Sequence, residues 1–114
     1  MTSTHPTGPS WVPTSCALPS AEQPLRVAEF DQLFVSSVEQ VARTSRTTLR
    51  LTLSPEPDVA ATAAGLVARE SRCCGFVTFA LTIAPLSLVL DIRVPSDRVD
   101  VLDALELRAG GLVR

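Results

Sequence analysis

At 114 residues, 46% of them apolar, the chain can bury a real core as one domain, though near the small end of the range. Ten basic residues face twelve acidic ones, a net charge of −2, so no basic surplus exists to neutralise phosphates and nucleic acid is disfavoured as a partner. No apolar run approaches the ~18 residues of a membrane span, and Met1–Ser10 lacks a charged segment leading into an apolar one, so neither membrane insertion nor a secretory signal is expected.

The first 23 residues carry Pro6, Pro9, Pro13 and Pro19, with Pro24 just after. This composition predicts a disordered or extended N-terminal strap over 1–23, docking through Trp11, Val12, Cys16 and Leu18, ahead of a single domain over 24–114. The lone histidine, His5, falls in the strap and reads as a solvated residue. Pro24 can open a helix, and Leu25, Ala28, Phe30, Leu33 and Phe34 recur at helical spacing over about 25–34. Val35, Ser37, Glu39 and Val41 then alternate as a strand over 36–43, although Val38 and Val41 would also suit a continuing helix. Thr48–Leu53 alternates apolar with polar as a half-buried strand, and the polar stretch 44–47 between the two makes a hairpin turn.

Ser54-Pro55-Glu56-Pro57-Asp58 is a helix-start cluster, with prolines tolerable in the first turn and acids facing the helix dipole. The helix it opens runs over 58–74 and stops at Gly75, expected in the left-handed conformation. Phe76–Ile83 alternates again, with Val77, Phe79, Leu81 and Ile83 on one face, until Pro85 breaks it. Leu88–Val94 returns, with Asp91 and Arg93 outward and solvated. Ser96 is expected to cap a last amphipathic helix that ends at Gly110–Gly111. The order α-β-β-α-β-β-α predicts an α+β fold, a four-stranded antiparallel sheet of two hairpins with helices on one face.

One constellation carries chemistry. On the helix 58–74, Val59, Ala63, Leu66 and Val67 form the inward stripe, and Glu70, Cys73 and Cys74 continue it at three-, four- and seven-residue spacings. Neighbouring cysteines in a helix cannot pair with each other, and an odd total of three fits a reduced, cytoplasmic protein. Thiolates favour soft ions: zinc, copper(I), mercury or arsenite. Cys73, Cys74 and Cys16 would supply three sulfurs, and Glu70 a fourth ligand or an orienting acceptor. Two other readings stand beside this one. The cysteines can simply fill space under the sheet, in a module that binds a protein partner or self-associates. Alternatively, the thiols act as nucleophiles with Glu70 as proton donor. Glu70 could also pair with Arg26, Arg50 or Arg93. Asp97, Asp100 and Asp103 form a wet acidic helix edge without the spacing of a calcium loop. With one histidine in a loose segment, hydrolases built on a histidine base are excluded.

Glu70-Ser71-Arg72-Cys73-Cys74-Gly75-Phe76 resembles the E-x-x-C-C-x-F signature of small bacterial proteins encoded beside heavy-metal-responsive regulators, mercury-responsive ones included. Cys16–Pro19 and Leu25–Phe34 are similar to the actinobacterial version, so the resemblance covers the chain from about residue 16. It implies a heavy-metal context and no defined activity.

Overall fold

The computed structural model describes residues 23–73 and 75–112, with side chains over 28–72 and 75–112. The elements are α1 (Gln23–Ser37), β1 (Val38–Ser45), β2 (Thr48–Leu53), α2 (Pro57–Cys73), β3 (Thr78–Ala84), β4 (Ser87–Arg93) and α3 (Val99–Leu112), with a 3-10 turn, Ser96–Arg98, leading into α3. The expected order and fold class hold. The strands form one antiparallel sheet in the order β1-β2-β4-β3, so the two hairpins join along β2 and β4 and leave β1 and β3 as edges.

Alternation explains the layering. Leu49, Leu51 and Leu53 of β2 and Leu88, Leu90 and Ile92 of β4 are all buried on one face. They share a core with Phe30, Leu33 and Phe34 of α1, Ala63, Leu66 and Val67 of α2, and Leu102, Leu105 and Ala109 of α3. The intervening residues, Thr48, Arg50, Thr52, Val89, Asp91 and Arg93, point away from the helices and are half-buried or exposed. All three helices therefore cover a single face.

The boundary between α1 and β1 differs from expectation. The helix continues to Ser37, past the expected strand start at 36, and Val35, read as part of the strand's alternation, is helical and 49% exposed. Two contacts occupy carbonyls at this ending. Ser36 Oγ donates to the Gln32 carbonyl at 2.6 Å, and the Ser54 amide satisfies the terminal Ser37 carbonyl at 2.8 Å. Val38 and Val41 both face inward, buried and half-buried, a three-residue spacing that regular alternation forbids. A register shift between Val38 and Gln40 absorbs the extra residue.

Other ends shift for similar local reasons. The hairpin turn narrows to Arg46–Thr47, and β3 starts at Thr78 because Gly75 and Phe76 belong to the preceding turn. Gly75 is not left-handed; among the described residues outside glycine, Leu86 alone takes a positive φ, 61°. Ser96 makes no side-chain cap. Pro95 holds that position in extended conformation, and its carbonyl accepts the Arg98 amide at 2.9 Å, so the chain enters α3 through a 3-10 turn. Nor do Gly110 and Gly111 stop α3, which runs through both to Leu112. Neither glycine has a positive φ.

Candidate thiol and carboxylate site

Helix α2 opens with Pro57 at its first position and Asp58 in its first turn, and the Ala60 amide makes the first helical bond to the Glu56 carbonyl at 3.0 Å. From there the inward stripe matches the sequence pattern. Ala63, Leu66 and Val67 are buried, Val59 is half-buried, and Glu70 has no exposed surface at all. Among the described residues Glu70 is the only buried charged side chain. A carboxyl group in such a place is costly unless another group engages it, and Glu70 is engaged within the fold.

The expected partners divide by sheet face. Arg50 and Arg93 lie on the face turned away from the helices, so the sheet itself separates them from Glu70. Arg50 is bound by Asp91 instead, at 2.8 and 3.1 Å, and those hydrogen bonds raise its pKa above the ordinary value. Asp91 is thus half of an ion pair on the open sheet face, not a solvated outlier. The Arg26 side chain lies outside the described residues. So do Cys16, Cys74, the Cys73 side chain and the strap residues Trp11, Val12 and Leu18. The structure places Cys73 as the last residue of α2, one turn beyond Glu70.

Charges around the end of α2 are arranged unevenly. Arg69 is exposed and reaches Glu29 of α1 only loosely, at 3.4 Å. Arg72 is exposed in the last turn, where a cation complements the negative end of the helix dipole. The turn that follows is held from the other side: the Arg98 guanidinium stacks over the Phe76 ring, 4.7 Å from its centroid. Val77, next in sequence, is buried. The segment after Cys74 is therefore pinned between the core and the 3-10 turn before α3. Sequence pattern gave no sign of this role for Arg98, because a single arginine in a helix approach reads as a solvated residue.

The acidic edge behaves as expected at Asp97, Asp100 and Asp103, all exposed. Asp103 also joins Glu106 in holding Arg43 of β1, at 2.8 and 2.7 Å. Burial lowers the Arg43 pKa, but the two carboxylates outweigh it and the net shift is upward. Among the described residues no group of three or more His, Cys, Asp or Glu side chains could hold a metal ion, and the sulfurs lie outside that set. No described helix is long and apolar enough to cross a membrane. Comparison with protein-family models, curated proteins and solved structures returns no match.

Proposed function

We propose that the C-terminal end of α2 is a thiol-based site for a soft metal or metalloid ion, and that the protein binds or buffers such an ion in the cytoplasm. Cys73 and Cys74 supply thiolates and Cys16 a third sulfur. Glu70 supplies an oxygen ligand or an orienting acceptor. Mercury, arsenite and copper(I) would use the sulfurs alone, whereas zinc would draw Glu70 into a tetrahedral set. The observation that carries this reading is the complete burial of Glu70 on the inward stripe of α2, one turn before the paired cysteines. The resemblance of residues 70–76 to a motif from heavy-metal gene neighbourhoods points the same way.

The test is titration of the reduced protein with mercury, arsenite, copper(I) and zinc, alongside Cys16→Ser, Cys73→Ser and Cys74→Ser. The expected result is binding that falls stepwise as sulfurs are removed. Affinity unchanged in both the Cys73→Ser and Cys74→Ser proteins, or no saturable binding of any of the four ions, would overturn the reading.

A further inference from the structure

The two edges of the sheet are built differently. Strand β1 carries Glu39 and Arg43, is interrupted by register shifts at both ends, and is tied to α3 through Arg43. Charges and bulges of this kind are how an edge strand is kept from pairing with another chain. Strand β3 has neither. Its sequence, Thr-Phe-Ala-Leu-Thr-Ile-Ala, holds no charge, proline or glycine, and its register with β4 runs without a shift from Thr78↔Arg93 to Ala84↔Ser87. Every second residue of such a strand turns its backbone N–H and C=O toward the open side.

Two of the four exposed large apolar residues among the described ones lie at the same place. Ile83, near the end of β3, is 70% exposed, and Leu86, at the tip of the β3–β4 hairpin, is 94% exposed. Between that end of β3 and the start of α2 lies an open groove of about 320 Å³, lined mainly by Pro55, Pro57, Ala60, Ile83 and Leu88, with Glu56 and Ser87 as its polar lining residues. Ala64 continues the Ala60 flank of α2 one turn on and is exposed. Glu56 is the one charged residue lining the groove, and it sits at the start of α2, ahead of the Ala60–Ala64 flank.

We infer that β3 is the interface of a homodimer, in which two copies pair β3 to β3 antiparallel about a two-fold axis and form one continuous eight-stranded sheet. The inference is independent of the soft-ion reading. A second copy fits because the edge is self-complementary. Centring the axis on Leu81 sets Leu81 against itself, Phe79 against Ile83, Ala80 against Thr82 and Thr78 against Ala84. The helix-facing row Phe79, Leu81, Ile83 then runs on across the axis into its own mirror sequence, and the exposed Ile83 is covered by Phe79 of the second copy. On the other face only small side chains meet. The absence of charge means that no like charges face each other across the axis. Continuing the register two residues brings the Pro85–Leu86 tip opposite Phe76 and Val77 of the second copy, where Leu86 finds apolar cover. An axis perpendicular to the sheet keeps both helix layers on one side, so the two α2 helices run antiparallel past their alanine flanks.

Sedimentation equilibrium of the full chain, as a concentration series, tests this. The expected species is twice 12.1 kDa. Ile83→Lys acts twice in a two-fold interface, and losing two buried isoleucines raises the dimer dissociation constant by about 100-fold. Ile83 is exposed within the monomer, so melting of the dissociated variant should match that of dissociated wild type. Thr82→Asp, at a second exposed edge position, is expected to dissociate the dimer too, while Gln40→Lys on β1 leaves it intact. A wild-type chain that remains monomeric throughout the series overturns the inference. So does a dimer unaffected by both β3 substitutions, or one that Gln40→Lys dissociates. Growth beyond the dimer also overturns it, since a β3 two-fold is closed.

Discussion

Removing the Arg98 guanidinium should loosen the segment that follows Cys74 without unfolding the domain. The guanidinium lies 4.7 Å from the Phe76 centroid and both residues are half-buried, which places the contact in the range of about 0.5–1 kcal/mol for a partly solvated cation over a ring. Phe76 belongs to the turn between α2 and β3; among the other described residues of that connection Gly75 is exposed and Val77 is buried. If the whole contact energy opposes local opening, Arg98→Ala raises the open population about two- to fivefold, since 1.4 kcal/mol is a factor of ten. Amide hydrogen exchange of residues 75–77, measured where exchange reports the opening equilibrium, should accelerate by that factor. The reaction of the paired cysteines with a disulfide reagent should accelerate alongside it. Arg98→Lys keeps a cation on a flexible stem and should fall between the two. Global stability in urea should drop by no more than about 1 kcal/mol, because the core contacts of α3 are untouched. Exchange and thiol reactivity unchanged in Arg98→Ala, or exchange accelerated equally in β2 and β4, would refute a local clasp.

Four further substitutions follow from the backbone and the ion pairs. Leu86 holds a φ of 61° after Pro85, the position where a type II turn takes glycine or asparagine; Leu86→Asn should stabilise the monomer by about 1 kcal/mol in urea unfolding, whereas a destabilised variant would mean that Leu86 packs in the monomer. Gly65 and Gly110 are helical, and a Cβ would meet only the Arg69 Nη1 at 3.6 Å in the first case and nothing within 4 Å in the second. Gly65→Ala and Gly110→Ala should each raise stability by about 0.5–1 kcal/mol, which thermal and urea melts can read. The Arg108–Asp31 pair joins α3 to α1 through two hydrogen bonds, the Nε one at 2.8 Å, and these bonds raise the Arg108 pKa despite some burial. A raised guanidinium value means the stabilisation is fully present below the unfolded pKa and lost only as pH climbs through the folded one. The cost of Arg108→Met, about 1 kcal/mol, should therefore not change across neutral pH through this group; a cost that fades between weakly acidic and weakly basic buffer would contradict that sign.

Most of the architecture was legible because it rests on periodicity. Thr48–Leu53 alternates without interruption and forms a strand over those very residues, and the stripe from Val59 to Glu70 lies on one side of a helix as its spacing requires. What periodicity could not resolve lay where two periods overlap. Val38 and Val41 are three apart, which fits a helix, yet both face inward from a strand because a bulge resets the phase. Glycines misled in the opposite way: Gly75, Gly110 and Gly111 read as punctuation, and none adopts the conformation that makes glycine a stop. At the site, the spacing of Glu70 was enough to place it inside. The hold of Arg98 on Phe76 joins residues 22 positions apart and leaves no trace in a local pattern.

Glu70 distinguishes a site from a packing detail, because its two roles respond differently to small changes of chemistry. A leucine there would fit the same stripe without the desolvation that a carboxyl group suffers, so its presence needs a reason beyond volume. If the reason is only the interaction that engages it inside the fold, Glu70→Gln keeps the shape, loses the charge and costs about 1–3 kcal/mol of stability, as does Glu70→Leu by leaving the partner group unmet. In that case mercury binding and zinc binding are untouched once the protein is folded. If the carboxylate is a ligand, Glu70→Gln removes a negative oxygen from a set whose remaining members are sulfurs. Zinc, which accepts carboxylate oxygen at four-coordinate sites, should then lose affinity by about tenfold or more, and mercury, satisfied by thiolates, should lose almost none. The ratio of the two affinities is insensitive to how much folded protein is present, so a stability loss cannot imitate it. Zinc and mercury weakened in equal proportion would assign Glu70 to the scaffold and leave the sulfurs alone as the site.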